Sequence, residues 1–304
     1  MWLVYAFSGP VLWGVSTHID KYLVDRYFRH SDTAVLMVFT ALLGLLALPV
    51  IWELQPRVVA LPALSIAVMT ASGVLYMGAM LFYLRAIQSE EASVVAPLFQ
   101  ANILFTFLLG YLFLHETLGW EQASGGVLMG LGALVLALDR KFHFGHFKLP
   151  LVTQMLGATF VLALSNVVFK MFAVHDEFWG TTFWNFVGEG LFGGAILALP
   201  RYRSQFVRLF RSNPGAVIGV NAANELINLG GGLGVRYASL LAPVALVSAI
   251  SSSTTFFVFA FGILLTLFFP RLGRENLAMG SLARKGAGGL FIAAGVVLIE
   301  MNRH

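Results

Sequence analysis

Residues Arg85–Arg140, RAIQSEEASVVAPLFQANILFTFLLGYLFLHETLGWEQASGGVLMGLGALVLALDR, decide the fold. Two apolar runs, Val94–Leu114 and Ala123–Leu138, flank a short polar turn carrying His115, Glu116 and Glu121. The first run holds Pro97, Gln100 and Asn102 in otherwise greasy sequence, and the second is rich in glycine. Each run approaches the roughly 20 residues that a helix needs to cross a bilayer. The turn between them is too short for anything but two antiparallel neighbours. The stretch therefore reads as two packed membrane helices.

Working outward, the whole chain has the same character. It is 58% hydrophobic and 11% charged, against roughly 25% charged in ordinary soluble domains. In lipid, each backbone N–H and C=O must find its partner inside the protein, which favours helices. The long continuous apolar runs argue against the short alternating strands of a membrane barrel. Met1–Ser16 has no basic leader and no small-residue cleavage site, so it reads as the first span. Ten spans are expected, at about 2–22, 34–52, 61–84, 94–114, 122–138, 151–173, 180–199, 214–235, 241–268 and 286–301.

Several function classes drop out. There are no cysteines, so disulfides and thiolate chemistry are excluded. The seven histidines show no ligand spacing such as HExxH, and His143 and His146 lie beside a basic turn. No metal or other cofactor is expected, and GxxxxGK[ST] is absent. The net charge of +4 is small and distributed, so no nucleic-acid partner is expected. The expected partners are a small-molecule solute and the lipid bilayer, with a proton as a possible coupling ion and a homodimer as a possible assembly. The cell membrane is the expected location, with multiple passes.

The chain repeats itself. With an offset of about 150, Trp13–Lys21 (WGVSTHIDK) lies over Leu162–Lys170 (LALSNVVFK), Leu48-Pro49 over Leu199-Pro200, and Arg85 over Arg236. Near the end the offset grows to about 163. Gln122–Arg140 then covers Lys285–Arg303, and Gly125, Gly126 and Gly132 meet Gly288, Gly289 and Gly295. The extra residues fall in Pro270–Lys285. An odd number of spans per half forces the two copies to enter the membrane from opposite sides. The expected fold is thus an all-α polytopic membrane protein of ten transmembrane helices, built as two inverted five-helix repeats over 1–140 and 150–303.

These features resemble the drug/metabolite transporter superfamily in its ten-helix, EamA-type branch. The likeness is carried by the two five-span halves, by Pro97 in the fourth span, and by Glu116 at its end with Gln122, Gly126 and Gly132 following. LHETLGWEQASGGVLMGLG is similar to that family's junction of fourth and fifth helices. The resemblance covers essentially the whole chain. It implies a secondary carrier for small metabolites, amino acids or other organic solutes, with a central cavity between the halves. It also implies both termini in the cytoplasm. The second half departs from the pattern, since Glu275 lies in a longer loop and not directly after the ninth span.

Charge points the other way on orientation. The loops after spans 1, 3, 5, 7 and 9 hold most of the Lys and Arg, among them Arg26, Arg29, Arg85, Arg140, Lys148, Arg201, Arg208 and Arg284. The opposite side holds Arg57, Arg236 and Arg303. By the positive-inside rule both termini lie outside.

Candidate transport residues are polar groups in apolar surroundings, where an acid costs about 2.5–3.5 kcal/mol on insertion scales and faces a cavity or a partner. Glu225 lies in NAANELINLGGGLG, with Asn221, Asn224 and Asn228 on the same helical face. It could bind a substrate ammonium or take up a proton. Glu189, with Asn185 one turn before it, is a second candidate, but Gly188 and Gly190 flank it and suggest tight helix contact instead. Lys21 and Lys170 are repeat-related and suit an anionic group or a partner acid, with snorkelling as the alternative. Trp13 and Ser16 share the first helix with His18. Tyr76 and Trp184 sit inside spans as aromatic walls. Pro97 frees a carbonyl beside Gln100, and the corresponding part of the ninth span is SAISSSTT, centred on Ser252. Glu116 is expected to brace the next helix start. Gly126, Gly132, Gly289 and Gly295 suit close helix packing, within the chain or in a dimer.

The sequence thus points to a secondary active transporter working by alternating access, and not to an enzyme. Two rival readings stay open. One is a non-transport sensor or scaffold. The other is a membrane enzyme acting near the headgroups through Asp20, Asp25, His30 and Asp32.

Overall fold

The computed structural model describes residues 1–23, 32–89, 95, 98–137, 149–212, 215–269 and 279–301. Pro97, Asp25, His30, Arg140, His143, His146 and Glu275 lie outside the described residues. Among the described residues every regular element is helical. The helices are α1 (Trp2–Leu23), α2 (Thr33–Leu54), α3 (Ala63–Ser89), α4 (Ala101–Leu114), α5 (Trp120–Ala137) and α6 (Leu149–Asp176). They continue as α7 (Phe178–Ala198), α8 (Pro200–Ser212), α9 (Asn221–Leu241), α10 (Val244–Ser251), α11 (Thr254–Phe268) and α12 (Met279–Met301). A short 3-10 turn, Pro56–Ala60, follows α2, and a π-helical turn, Gly215–Val220, leads into α9.

Five stretches among them are long and apolar enough to cross a bilayer: Thr33–Leu54, Ala63–Ala86, Leu149–His175, Val244–Phe268 and Leu282–Met301. The bent pair α7–α8 would make a sixth. Large apolar side chains such as Leu46, Leu104, Val127 and Leu290 face outward, as lipid-facing positions require. The molecule is an all-α, multi-pass membrane protein. α1 and α9 are less apolar, α1 through its Ser, Thr, Gly, Trp and His residues as well as Asp20 and Lys21, and α9 through three asparagines, Glu225 and Arg236. Among these, Asn221, Asn224 and Glu225 of α9 are buried.

Packing follows a regular scheme. α1 lies against α9 and α11, while α6 lies against α3 and α4. α2 pairs with α7, α4 with α10, and α5 with α12. The α5–α12 crossing is made by glycine. A Cβ on Gly125 would sit 2.7 Å from the Gly295 carbonyl oxygen, and one on Gly132 would sit 2.6 Å from that of Gly288. Backbones this close exclude any side chain. The glycine face expected to serve either packing or a dimer is therefore occupied within one chain. Gly126 faces Ala249 of α10 instead, and Gly289 meets Phe256.

Three features differ from expectation. Arg201, Arg203, Arg208 and Arg211, read as a loop, lie on the regular helix α8, which turns 98° away from α7. Its apolar side, with Leu209 and Phe206, packs toward α2 while its arginines stay outside. This is how an amphipathic helix lies along a membrane surface. The fourth span is interrupted by a turn at Gln100, between helical Leu98 and Phe99 and the helix Ala101–Leu114. The ninth is broken at Ser252 and Ser253. There the hydroxyls of Ser251, Ser252, Ser253 and Thr254 donate to carbonyls three or four residues back, competing with the helix ladder.

Candidate functional site

The interior between α1, α2, α3, α7 and α9 carries the charge. α7 can come close to α3 because both present glycine there. A Cβ on Gly73 would collide with the Asn185 carbonyl oxygen, and one on Gly188 with that of Thr70. This contact sets Asn185 and Glu189 into the interior, both almost fully buried.

Their partner is Arg236. Its Nη2 donates to Glu189 Oε1 at 2.9 Å and to Asn185 Oδ1 at 2.6 Å. The guanidinium also lies over the rings of Phe169 and Phe186, each 5.2 Å to the centroid, and of Tyr76 at 6.0 Å. Charge, hydrogen bonds and aromatic faces together satisfy it. Sequence reasoning placed Arg236 among the loops, because it stands close to the end of an apolar run. In the structure it lies within α9, one turn before that helix ends.

Glu225 has a different setting. It is 8% exposed and its Oε1 accepts from the Thr40 hydroxyl of α2 at 3.0 Å. Among the described residues no Lys, Arg or His forms an ion pair with it. Asn221 and Asn224 are buried beside it on the expected face, and Asn228 is half-buried. Asn224 Nδ2 donates to Asp20 Oδ1 at 2.6 Å, joining α9 to α1. The Ser16 hydroxyl reaches the other Asp20 oxygen at 3.4 Å. The Trp13 indole N–H donates to the Asn228 carbonyl at 3.4 Å. His18 Nε2–H donates to the Val258 carbonyl of α11 at 2.9 Å, so this histidine faces away from Asp20. From the sequence, Asp20 stands only in the rival enzyme cluster with Asp25, His30 and Asp32.

The two repeat-related lysines part company. Lys21 is exposed at the end of α1. Lys170 of α6 is ion-paired with Glu116 Oε1 at 2.5 Å and donates to the Ala242 carbonyl at 2.6 Å. Glu116 Oε2 accepts the Val244 N–H at 2.8 Å, which caps α10. The acid thus braces a helix start, but that of α10 rather than the next helix, α5. The cause is the turn. His115 takes a left-handed conformation, φ 53°, that closes α4 and swings Glu116 inward instead of along the chain.

Other expected residues serve packing or lie apart. The Trp184 indole N–H donates to the Val58 carbonyl of the 3-10 turn at 2.8 Å, within a cluster of Met69, Phe169 and Phe178. Ser252 caps the end of α10. Asn102 Nδ2 donates to Ser248 Oγ at 3.0 Å, tying α4 to α10 next to both breaks. Gln100 precedes α4 without a side-chain cap bond. Among the described residues no group of three or more His, Cys, Asp and Glu could hold a metal ion.

Residues 1–138 match the EamA-like transporter family. The chain is also similar to a solved structure described only as "Crystal structure of protein", with TM-score 0.71 and 13% sequence identity over 98% of this chain and 96% of that chain. At that identity the likeness shows the fold alone. No curated protein matches the sequence.

Proposed function

We propose that this protein is a secondary active transporter that moves a small organic metabolite, such as an amino acid or amine, by alternating access. The observation that carries the reading is the charged interior. Glu189, Arg236, Glu225 and Asp20 come from α1, α7 and α9, and Tyr76 and Thr40 complete the surroundings from α2 and α3. Burying acids such as Glu189 and Glu225 in a membrane protein is costly, and in such proteins they line solute pathways. The EamA-like match over the first part of the chain supports a transporter.

Alternating access follows if ten segments cross the membrane as two inverted repeats, 1–140 and 150–303. The packing scheme supports this. Exchange of first-half helices for their second-half counterparts turns α1 against α9 and α11 into α6 against α3 and α4, and these are the pairs observed. The glycine crossing behaves likewise, since Gly125 against Gly295 becomes Gly288 against Gly132. The turn before α4 and the break between α10 and α11 also fall at corresponding places. Two such halves offer near-equivalent states open to either side.

Glu225 is the proposed coupling site for a proton. In proteoliposomes, Glu225→Gln is expected to lose flux driven by a pH gradient while keeping solute exchange. Full gradient-driven flux in that variant would end the coupling proposal. Orientation can be tested in the same preparation. Arg85 donates to the Tyr202 hydroxyl at 3.2 Å and Asp32 lies 3.9 Å from both Arg85 and Arg201. The loops after spans 1, 3 and 7 therefore share one face, which the positive-inside rule makes cytoplasmic. The chain has no cysteine, so Ser204→Cys gives a single label. Protection from an impermeant maleimide in intact cells is the expected result.

A further inference from the structure

We infer that Asp20, Glu225 and Asn224 form a binding site for the ammonium group of an organic amine. This deepens the carrier reading and rests on it for release across the membrane, whereas the binding step stands by itself.

Three observations carry the assignment. First, among the described residues the charge has no counter-ion. Asp20 accepts from the side chain of Asn224, the residue before Glu225, and among the described residues neither acid has an ion-pair partner. The other interior acids, Glu189 and Glu116, each hold a basic residue. A buried acid without a counter-ion, as Glu225 is, is unfavourable, so a cation that enters is favoured.

Second, Asn224 is fully buried and its Oδ1 has no hydrogen-bond partner. The amide cannot be turned round to cure this. Its nitrogen already donates to Asp20 Oδ1, and reversal would set a carbonyl oxygen against a carboxylate. An orphaned buried acceptor costs as much as a lost hydrogen bond. It lies on the amide that binds Asp20 and is next in sequence to Glu225, so the unfilled acceptor belongs to the residue that links the two acids.

Third, the acceptors suit the ligand. An ammonium has three N–H donors and no acceptor. A carboxylate oxygen from Asp20, one from Glu225 and the Asn224 amide oxygen supply three. A guanidinium would seek one carboxylate in a two-pronged grip. Calcium would want six to eight oxygens, roughly twice what is present. Access is available as well, since Asp20 is exposed at the end of α1 while Glu225 is buried.

The test uses the full chain in detergent, with putrescine and ethanolamine as probes. Their uncharged counterparts, 1,4-butanediol and ethylene glycol, and sodium chloride at matched ionic strength serve as controls. Saturating amine is expected to raise the melting temperature by about 2–4 °C through mass action, and neither diols nor sodium should do so. Glu225→Gln is expected to melt higher than the parent without ligand, because it removes uncompensated charge, and to lose the amine shift. Asp20→Asn should also lose it. Should either variant fail to fold, Asn224→Leu removes the third acceptor without altering charge, and an amine shift weakened about tenfold in concentration dependence is expected.

The site is overturned if diols stabilise as well as amines, if sodium alone gives the full shift, if neither amine shifts the melt, or if the shift survives in all three variants. The carrier reading fails separately. Amine binding without counterflow in proteoliposomes would end transport and keep the site. Glu225-dependent flux of another solute, without amine binding, would do the reverse.

Discussion

Glu189 and Glu225 both lie buried in the same interior, on neighbouring helices, and their surroundings could hardly differ more. Glu189 has a guanidinium at 2.9 Å, with Asn185 and three aromatic rings fixing that arginine. Glu225 has the Thr40 hydroxyl and the Asn228 side chain as hydrogen-bond partners, and no basic partner among the described residues. A compensated acid holds helices together, here α7 to α9. An uncompensated acid is poised to accept a cation from outside. The difference teaches that burial of a carboxylate alone does not identify a transport site. The missing counter-charge is the ground on which Glu225, and not Glu189, is proposed as one.

Four experiments would break or sharpen this contrast. Arg236→Ala should have the largest effect, a loss of about 3–5 kcal/mol, because it strands the Glu189 charge. Thermal unfolding in detergent measures it. The double variant Glu189→Leu with Arg236→Met should recover most of that loss, since a buried pair replaced by apolar residues is often near neutral. If Arg236→Ala is harmless, Glu189 is not held by its arginine and the comparison collapses.

Lys170→Met comes next. It removes the charge facing Glu116, whose other oxygen caps Val244, and should cost about 1.5–3 kcal/mol. Restoration by Glu116→Gln would show that the cost came from the stranded acid. Glu225→Gln should act in the opposite sense, with stability unchanged or raised by about 1 kcal/mol. A clear loss of stability would place Glu225 in the same class as Glu189. Thr40→Val should have the smallest effect, about 0.5–1 kcal/mol for one hydroxyl. In flux assays it should alter the concentration dependence more than the maximal rate.

The legible part of the site was its one-helix part. Asn221, Asn224 and Glu225 share a face because residues three and four apart line one side of a helix, and all three are buried. Asn185 and Glu189 show the same rule, since both reach one guanidinium. Pairing across helices was not legible. Arg236 stands 47 residues from Glu189, and Lys170 and Glu116 come from separate spans. Nothing in the spacing of such residues records which faces meet. Asp20 was hidden for a second reason. It stands beside Lys21 at the end of an apolar run, where charge is ordinarily assigned to the headgroups.

The sequence by itself determined that this is a multi-pass helical membrane protein, because apolar run length and the absence of water in lipid leave helices as the solution for these runs. It also determined where glycine would permit close crossings. The tertiary structure alone decided which charges cancel. Whether an acid meets an arginine or another acid depends on the rotation and register of helices far apart in the chain. Those are set by the packing of glycine and apolar faces, such as Gly73 against Gly188 and Gly132 against Gly288, and not by the charged residues themselves.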